Sequence, residues 1–339
     1  MASITSAFVR VEPSYTEPNI LLQIAQPSGF LRLLADDKIR VMLGEGDLAV
    51  YIKRLNLTTS AFGAQSPFTL TAAEFINASF MSTATYHFSN RSVWSRSEEE
   101  AAGRWGFSIV QALEFAQRQA HFQTARNVCL YGAIPSNGEG LLNTPGAPNV
   151  TLPPDSNGNA TLTSYDNGEM AQFLLQTIVN MITSMFQAQV PQKISVLGPQ
   201  RDILYMQQVG IVQLVQFQRS GAGSATTAQM VQSIQEAAGN SIEWNVDDTL
   251  IGKGAGGSDA VIVTIPKIKN PQGKSINTNI FAELTPNLDE CVLQYSDMAA
   301  PRKITSPAPM GMTEQYLAWR MSSGWAPRPQ AITILNIPY

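Results

Sequence analysis

The sequence predicts an α+β protein with a long extended hairpin, a long polar helix and a strand-rich C-terminal half. Three observations predict it. Residues 47–57 are rich in Val, Ile, Tyr and Leu, and residues 80–89 (FMSTATYHFS) alternate apolar with polar side chains; with Gly63 and Pro67 between them they read as the arms of a hairpin. Residues 97–127 place Trp105, Ile109, Leu113, Ala116 and Ala120 at helical spacing. From residue 241 onward, short β-branched runs alternate with turn residues to the end of the chain.

Composition narrows the function classes. The chain has 339 residues, enough by length for about two domains. Charged residues make up only 14%, against roughly 25% in an ordinary soluble domain. Subunit interfaces are depleted in Lys, Glu and Asp, so burial in an assembly is the natural account of such a surface. The net charge of −4 comes without a strongly basic block, so tight binding to nucleic acid through many phosphate contacts is not indicated. Weak, non-adhesive contact with DNA stays compatible with it. Cys129 and Cys291 lie far apart without a partner motif and read as free buried thiols of a reducing compartment. The first residues lack a signal-peptide pattern, and no run reaches the ~18 apolar residues that would span a membrane.

The elements follow in order. Residues 1–44, interrupted by Pro13, Pro18 and Pro27, read as an extended arm with one short helix near 28–35. The hairpin 45–92 is hard to stabilise alone in water and is expected to lie on a partner. The helix 97–127 is assigned Ser97 as N-cap and Glu100 as capping-box partner, with Glu98 and Glu99 favouring the positive end of the helix dipole. About 30 helical residues would extend about 45 Å, the length of a structural spine, although Gly103 and Gly106 weaken its first turns. Residues 132–165 are rich in Pro and Gly, with Leu141, Leu142 and residues 150–152 expected as short strands. A second helix spans 166–189, capped by Asp166 and Glu169, with Met170, Phe173, Leu174, Met181, Met185 and Phe186 as its buried stripe. A strand at 193–197, a turn at Gly198 and Pro199 and a short helix from Gln200 come next, then a helix at 224–238 closed by Gly239 and Asn240. Strands are expected at 241–246, 260–265, 290–294, 314–323 and 330–337, the last two as a hairpin.

Motifs for chemistry fail one after another. His87 and His121 have no nucleophile or ligand pattern around them, so no catalytic residue is assigned. Gly273, Lys274 and Ser275 resemble the end of a phosphate loop, but Ile268 stands where that loop needs Gly. Gly252, Gly254 and Gly257 match a dinucleotide spacing, yet a strand is expected to follow rather than a helix. Asp247 with Asp248, and the run DSNGN at 155–159, lack the remaining ligands of a calcium loop, and Cys/His metal spacings are absent. No cofactor, no metal and no enzymatic activity are expected. Long extensions and little chemistry describe a building block.

The residues that identify the architecture are Leu130, Tyr131 and Gly132, followed by Gly140, Leu141, Leu142 and Asn143. This LYG…GLLN order resembles the major capsid proteins of tailed bacteriophages, whose fold is shared with encapsulin shells. The run ISVLGPQRDILYM (194–206) is similar to the strand, turn and helix of that family's axial domain. The resemblance extends over nearly the whole chain. It implies an N-terminal arm at 1–44, an extended hairpin loop at 45–92, a peripheral domain with a spine helix at 93–131 and 286–339, and an axial domain at 132–285. It also implies self-association into hexamers and pentamers of an icosahedral head enclosing double-stranded DNA, with residues 211–280 near the ring centre. Implied partners are further copies of the chain, portal and scaffolding proteins and a decoration protein; the implied location is the virion, assembled in the bacterial cytoplasm. The alternative is an encapsulin-like nanocompartment around a protein cargo. Candidate interface charges are Lys53, Arg54, Arg91, Glu98, Glu99, Arg104, Arg302 and Lys303, with ordinary surface charge as the alternative for each. Two departures matter. The arm starts at residue 1 without the helical scaffolding segment of some relatives, so a separate scaffold or prior cleavage is implied. Lys53 sits where some relatives crosslink to a neighbour's Asn, but the loop PRKITSPAPMG (301–311) has no Asn, so crosslinking is not expected.

Overall fold

The computed structural model describes residues 28–34, 41–58, 75–155, 157–165, 167–184, 190–208, 227–237, 241–269, 295–298 and 300–338. Expectations for most of the arm, the hairpin tip, Asp166, Met185, Phe186, Gly239, Asn240, Gly273 to Ser275, Cys291 and the strand at 290–294 fall outside these residues.

Two sheets form among the described residues. The first has the order β1-β8-β10-β3-β2, with β9 also pairing β10: β1 is Val41–Leu43, β2 Ala49–Thr58, β3 Phe75–Ser95, β8 Ser296–Met298, β9 Arg302–Ala308 and β10 Met312–Ser322. The hairpin is present as expected, β2 and β3 pairing antiparallel from Ala49 opposite Ala84 to Thr58 opposite Phe75. β3 then continues for another eleven positions against β10, from Thr85 opposite Ser322 to Ser95 opposite Met312. One 21-residue strand, about 70 Å long, thus carries both the body of the sheet and its protruding ribbon.

The second sheet has the order β4-β11-β7-β5-β6: β4 is Asn149–Thr151, β5 Val190–Gly198, β6 Ser241–Val246, β7 Asp259–Lys269 and β11 Ile332–Ile337. Ala260, Val261, Ile262, Val263, Thr264 and Ile265 of β7 are wholly buried, which is why this strand reads as a continuous apolar run rather than an alternation. α3 (Asn167–Ser184) packs Met170, Leu174, Ile178 and Met181 into the same core, and α4 (Gln200–Gln208) and α5 (Thr227–Ala237) complete the helical cover.

Four expectations are corrected. The last two strands are not a hairpin: β10 lies in the first sheet and β11 in the second, antiparallel to β7, because the segment holding Pro327 and Pro329 carries the chain across. The long helix is two helices, α1 (Arg96–Arg104) and α2 (Ile109–Tyr131). Gly106 adopts φ 76° between them and Ser108 caps α2 through a bond from the Gln111 amide, so the weak glycine turns end one helix and a new cap starts the next. The N-cap of α1 is Ser95 with Glu98, not Ser97 with Glu100. β3 delivers Ser95 in extended backbone, whereas Ser97 is already inside the helix. Finally, Leu141 and Leu142 form a 3₁₀ turn, not a strand.

Candidate subunit interface

The hairpin ribbon exposes large apolar side chains. Tyr51 and Phe80 are 69% and 68% accessible, and the register (Tyr51 opposite Ser82, Lys53 opposite Phe80) places both on one face. Leu48 at its base and Trp105, Phe107 and Phe115 around the break between α1 and α2 are exposed too. A two-stranded ribbon with aromatics in water has little to hold it, and exposed apolar surfaces of this kind are candidate interaction sites. A second protrusion is the β9–β10 turn, where Met310 has φ 64° and is 96% accessible. A non-glycine residue held in left-handed backbone at an exposed tip is strained, and strain of this kind gathers at functional positions.

The candidate interface charges divide into three groups. Arg91 pairs with Glu314 and lies 5.9 Å over the Tyr316 ring; Arg302 pairs with Glu45 at 2.8 Å; Lys303 pairs with Glu114. Lys303 holds the Glu114 carboxyl below its usual range. Glu98 accepts from the Ser95 amide at 2.8 Å as part of the cap. These four have partners within the chain. Glu99 and Arg104 are exposed on α1 without an ion pair among the described residues. Lys53 and Arg54 occupy the ribbon strand β2, opposite Phe80 and Ser79.

The motif LYG…GLLN forms a tight lock at the end of α2. Leu130 and Leu141 are wholly buried, and the Tyr131 hydroxyl donates to the Thr249 carbonyl at 2.7 Å. Gly132 (φ 81°) and Gly140 (φ 86°) lie back to back; a Cβ on Gly140 would collide with the Gly132 amide and stand 2.8 Å from the Leu130 carbonyl. The Asn143 amide closes the loop by donating to the Tyr131 and Glu139 carbonyls at 2.9 and 3.1 Å. The Glu139 carboxylate accepts from Tyr86, from the Ile134 amide and from Ser323, tying this loop to both β3 and the segment after β10.

Sequence reasoning misplaced the buried face of the long helix. Trp105 and Ala116 are exposed, while Gln117, Ala125, Arg126, Val128, Cys129 and Leu130 are buried. Gln117 donates to Ser92 and to the Gln315 carbonyl and accepts from the Gln315 amide at 2.7 Å. His121 Nε2 lies 3.1 Å from Asp297 and edge-on to Trp319. Gln117, Ser92 and Gln315 satisfy one another across helix and sheet, as buried polar groups must. His121 is thus a structural partner of Asp297, and His87 stands exposed on β3.

Other expected sites resolve into local structure. Asp247 accepts from Ser28 and from the Thr249 amide and hydroxyl, and Asp248 accepts from the Gln200 amide at 2.7 Å; both carboxylates cap short turns or helices. The glycine loop 252–257 leads into β7, a strand, as expected. Burial pushes the Cys129 thiol far up, so it stays protonated. Among the described residues, no group of His, Cys, Asp and Glu could hold a metal ion, and no helix is long and apolar enough to cross a membrane. One acidic pair stands out. Arg201 forks onto Asp259 at 2.7 and 2.8 Å, and the Gly252 amide donates to it at 2.9 Å. Asp202 is fully buried beside it; burial, then the Asp259 charge, push its carboxyl up to about 7.

Comparison with known proteins gives a consistent answer at the level of fold. No protein-family model matches the chain, and no curated protein matches its sequence. Solved structures match over almost the full length. The capsid of Myoviridae phage XM1 aligns with TM-score 0.69 at 11% identity, covering 96% of both chains. The capsid of cyanophage P-SCSP1u aligns with TM-score 0.59 at 10% identity, covering 96% of this chain and 92% of that one. The capsid of a native GTA particle aligns with TM-score 0.57 at 11% identity, covering 97% and 96%. Such identities speak to fold, and the fold is that of phage capsid subunits.

Proposed function

We propose, on the premise of that shared fold, that this chain is a major capsid protein that self-assembles into the pentamers and hexamers of an icosahedral phage head enclosing double-stranded DNA. The observation that carries the reading is the full-length likeness to capsid subunits, with about 96% of this chain covered. The exposed aromatic ribbon supports it, because Tyr51 and Phe80 need a neighbouring surface. In this reading 1–44 are the arm, 45–92 the extended loop, 93–131 with 286–339 the peripheral domain around the spine helix, and 132–285 the axial domain. The role is structural rather than enzymatic. Interface charges, Lys53, Arg54, Glu99 and Arg104 foremost, fix register between copies more than they supply affinity. Portal and scaffolding proteins and a decoration protein are the further partners. The net charge of −4 suits weak, non-specific contact with packaged DNA. The protein resides in the virion and assembles in the host bacterial cytoplasm.

Negative-stain microscopy with mass photometry, on the chain expressed alone and with its genomic neighbours, tests this. Closed polyhedral shells, or hexamers and pentamers that close when a scaffold is added, are the expected result. A monomer under all these conditions overturns the reading, and shells filled with a protein cargo replace the phage head by a nanocompartment.

A further inference from the structure

Residues 28–34 lie between the two halves of the molecule and belong to neither sheet. A single 3₁₀ turn, Phe30–Leu33, forms their middle. On one side they touch β5, β6 and β7 of the second sheet; on the other they touch α2, which packs on β3 and β10 of the first. Phe30, Leu33 and Leu34 are buried at 1% accessibility or less. The Phe30 ring stands 5.6 Å from that of Phe122 on α2 and meets Tyr295, next to β8, edge-on at 6.4 Å. Toward the second sheet, the Ser28 hydroxyl donates to the Asp247 carboxylate, the Gly29 amide to the Val246 carbonyl at 3.2 Å, and the Ser195 hydroxyl to the Arg32 carbonyl at 2.9 Å. Gly29 is required by a close approach rather than by its backbone: a Cβ would stand 2.7 Å from the Cβ of Asn245, although its φ of −87° suits any residue.

We infer that residues 28–34 are a strap that holds the two sheets at one angle and can release while both sheets stay folded. A sheet strand is held by a ladder of main-chain bonds. This segment has one main-chain bond to a strand among the described residues, from Gly29, and a 3₁₀ turn whose own bonds are poorly aligned. Segments with few such bonds open locally at lower free energy than the core strands around them. The side chains nevertheless fill the space between α2 and the second sheet, so release unpacks a contact through which one half leans on the other. Movement of packed layers about such a filler is a hinge or shear step, not unfolding. Ser28 also continues the arm 1–27 in sequence. A second copy that grips the arm therefore acts on the angle between the sheets; this last link rests on the self-assembly reading, whereas the strap is a property of the single subunit.

Hydrogen exchange of the unassembled full-length chain in low urea, read by mass spectrometry, tests the release. The Gly29, Arg32 and Leu34 amides should exchange through a local opening, at least about tenfold faster than those of β7. Gly29→Ala crowds Asn245 only while the strap is docked, so it should raise strap exchange about tenfold while β7 keeps its protection. The angle is read as the distance between spin labels on Thr151→Cys of β4 and Thr305→Cys of β9, both exposed positions, in a chain carrying Cys291→Ser. The distance should be narrow in this parent chain and broad once Gly29→Ala is added. Ser28→Ala, which removes only the tie to Asp247, should give the same two changes in smaller measure and serves if Gly29→Ala does not fold. Strap amides that exchange only together with β7 overturn the release, and a narrow distance in a variant whose strap is open overturns its hold on the angle. Both readouts use single subunits, so a chain that never assembles overturns the self-assembly reading and leaves the strap standing.

Discussion

At the scale of single residues, the lock at the end of α2 assigns each letter of its motif a task. Leu130 and Leu141 fill the core, Tyr131 reaches Thr249, Asn143 holds two carbonyls, and the two glycines make room for each other. Gly140→Ala would put a methyl group against the Gly132 amide in backbone that already has φ 86°. It should cost more than about 3 kcal/mol, read as loss of soluble subunit or a large drop in the urea midpoint. The Asp202–Asp259 pair predicts a pH dependence. Asp202's native carboxyl titrates near 7, above its ordinary 3.8. Its contribution is fully present below the lower value and is lost as pH rises through the upper one. Subunit stability should therefore fall between about pH 4 and pH 7. Asp202→Asn, which donates to Asp259 at every pH, should flatten that slope and stabilise the subunit at pH 8 by about 2 kcal/mol, measured by urea unfolding of unassembled protein across pH.

At the scale of elements, the cap of α1 separates two serines two residues apart. Ser95→Ala removes an acceptor for the Glu98 amide and should cost about 1 kcal/mol in thermal unfolding, while Ser97→Ala should be nearly neutral. Met310→Gly relieves left-handed strain at the β9–β10 turn and should stabilise the unassembled subunit by about 1 kcal/mol. The hairpin, the strand-turn-helix of 194–206 and the buried β7 were legible because their patterns are local: alternation, a Gly-Pro turn, a β-branched run. The true buried face of α2 was not, because Gln117 becomes a core residue only by meeting Gln315, and His121 is half-buried beside Asp297, both partners being far away in sequence. The same holds for the interface charges. Arg91, Arg302 and Lys303 read as free cations until β10, the turn after β1 and α2 bring Glu314, Glu45 and Glu114 to them.

At the scale of the whole molecule, the ribbon and α1 carry opposite charges on parts that need cover. Lys53→Glu should impair shell formation, and adding Glu99→Lys should restore it, read as the yield of closed particles by mass photometry; Glu98 is unsuitable for the swap because it serves the cap. The order of the two sheets has a consequence in time. β10 lies between β3 and its other neighbours, and β11 lies between β4 and β7, so neither sheet closes until residues 312–337 are present. Those residues leave the ribosome after all the strands they join. A nascent chain therefore holds both sheets incomplete until residues 312–337 have emerged. Chains stalled before Ile332–Ile337 emerge should be cleaved readily by protease, where chains that include this strand resist.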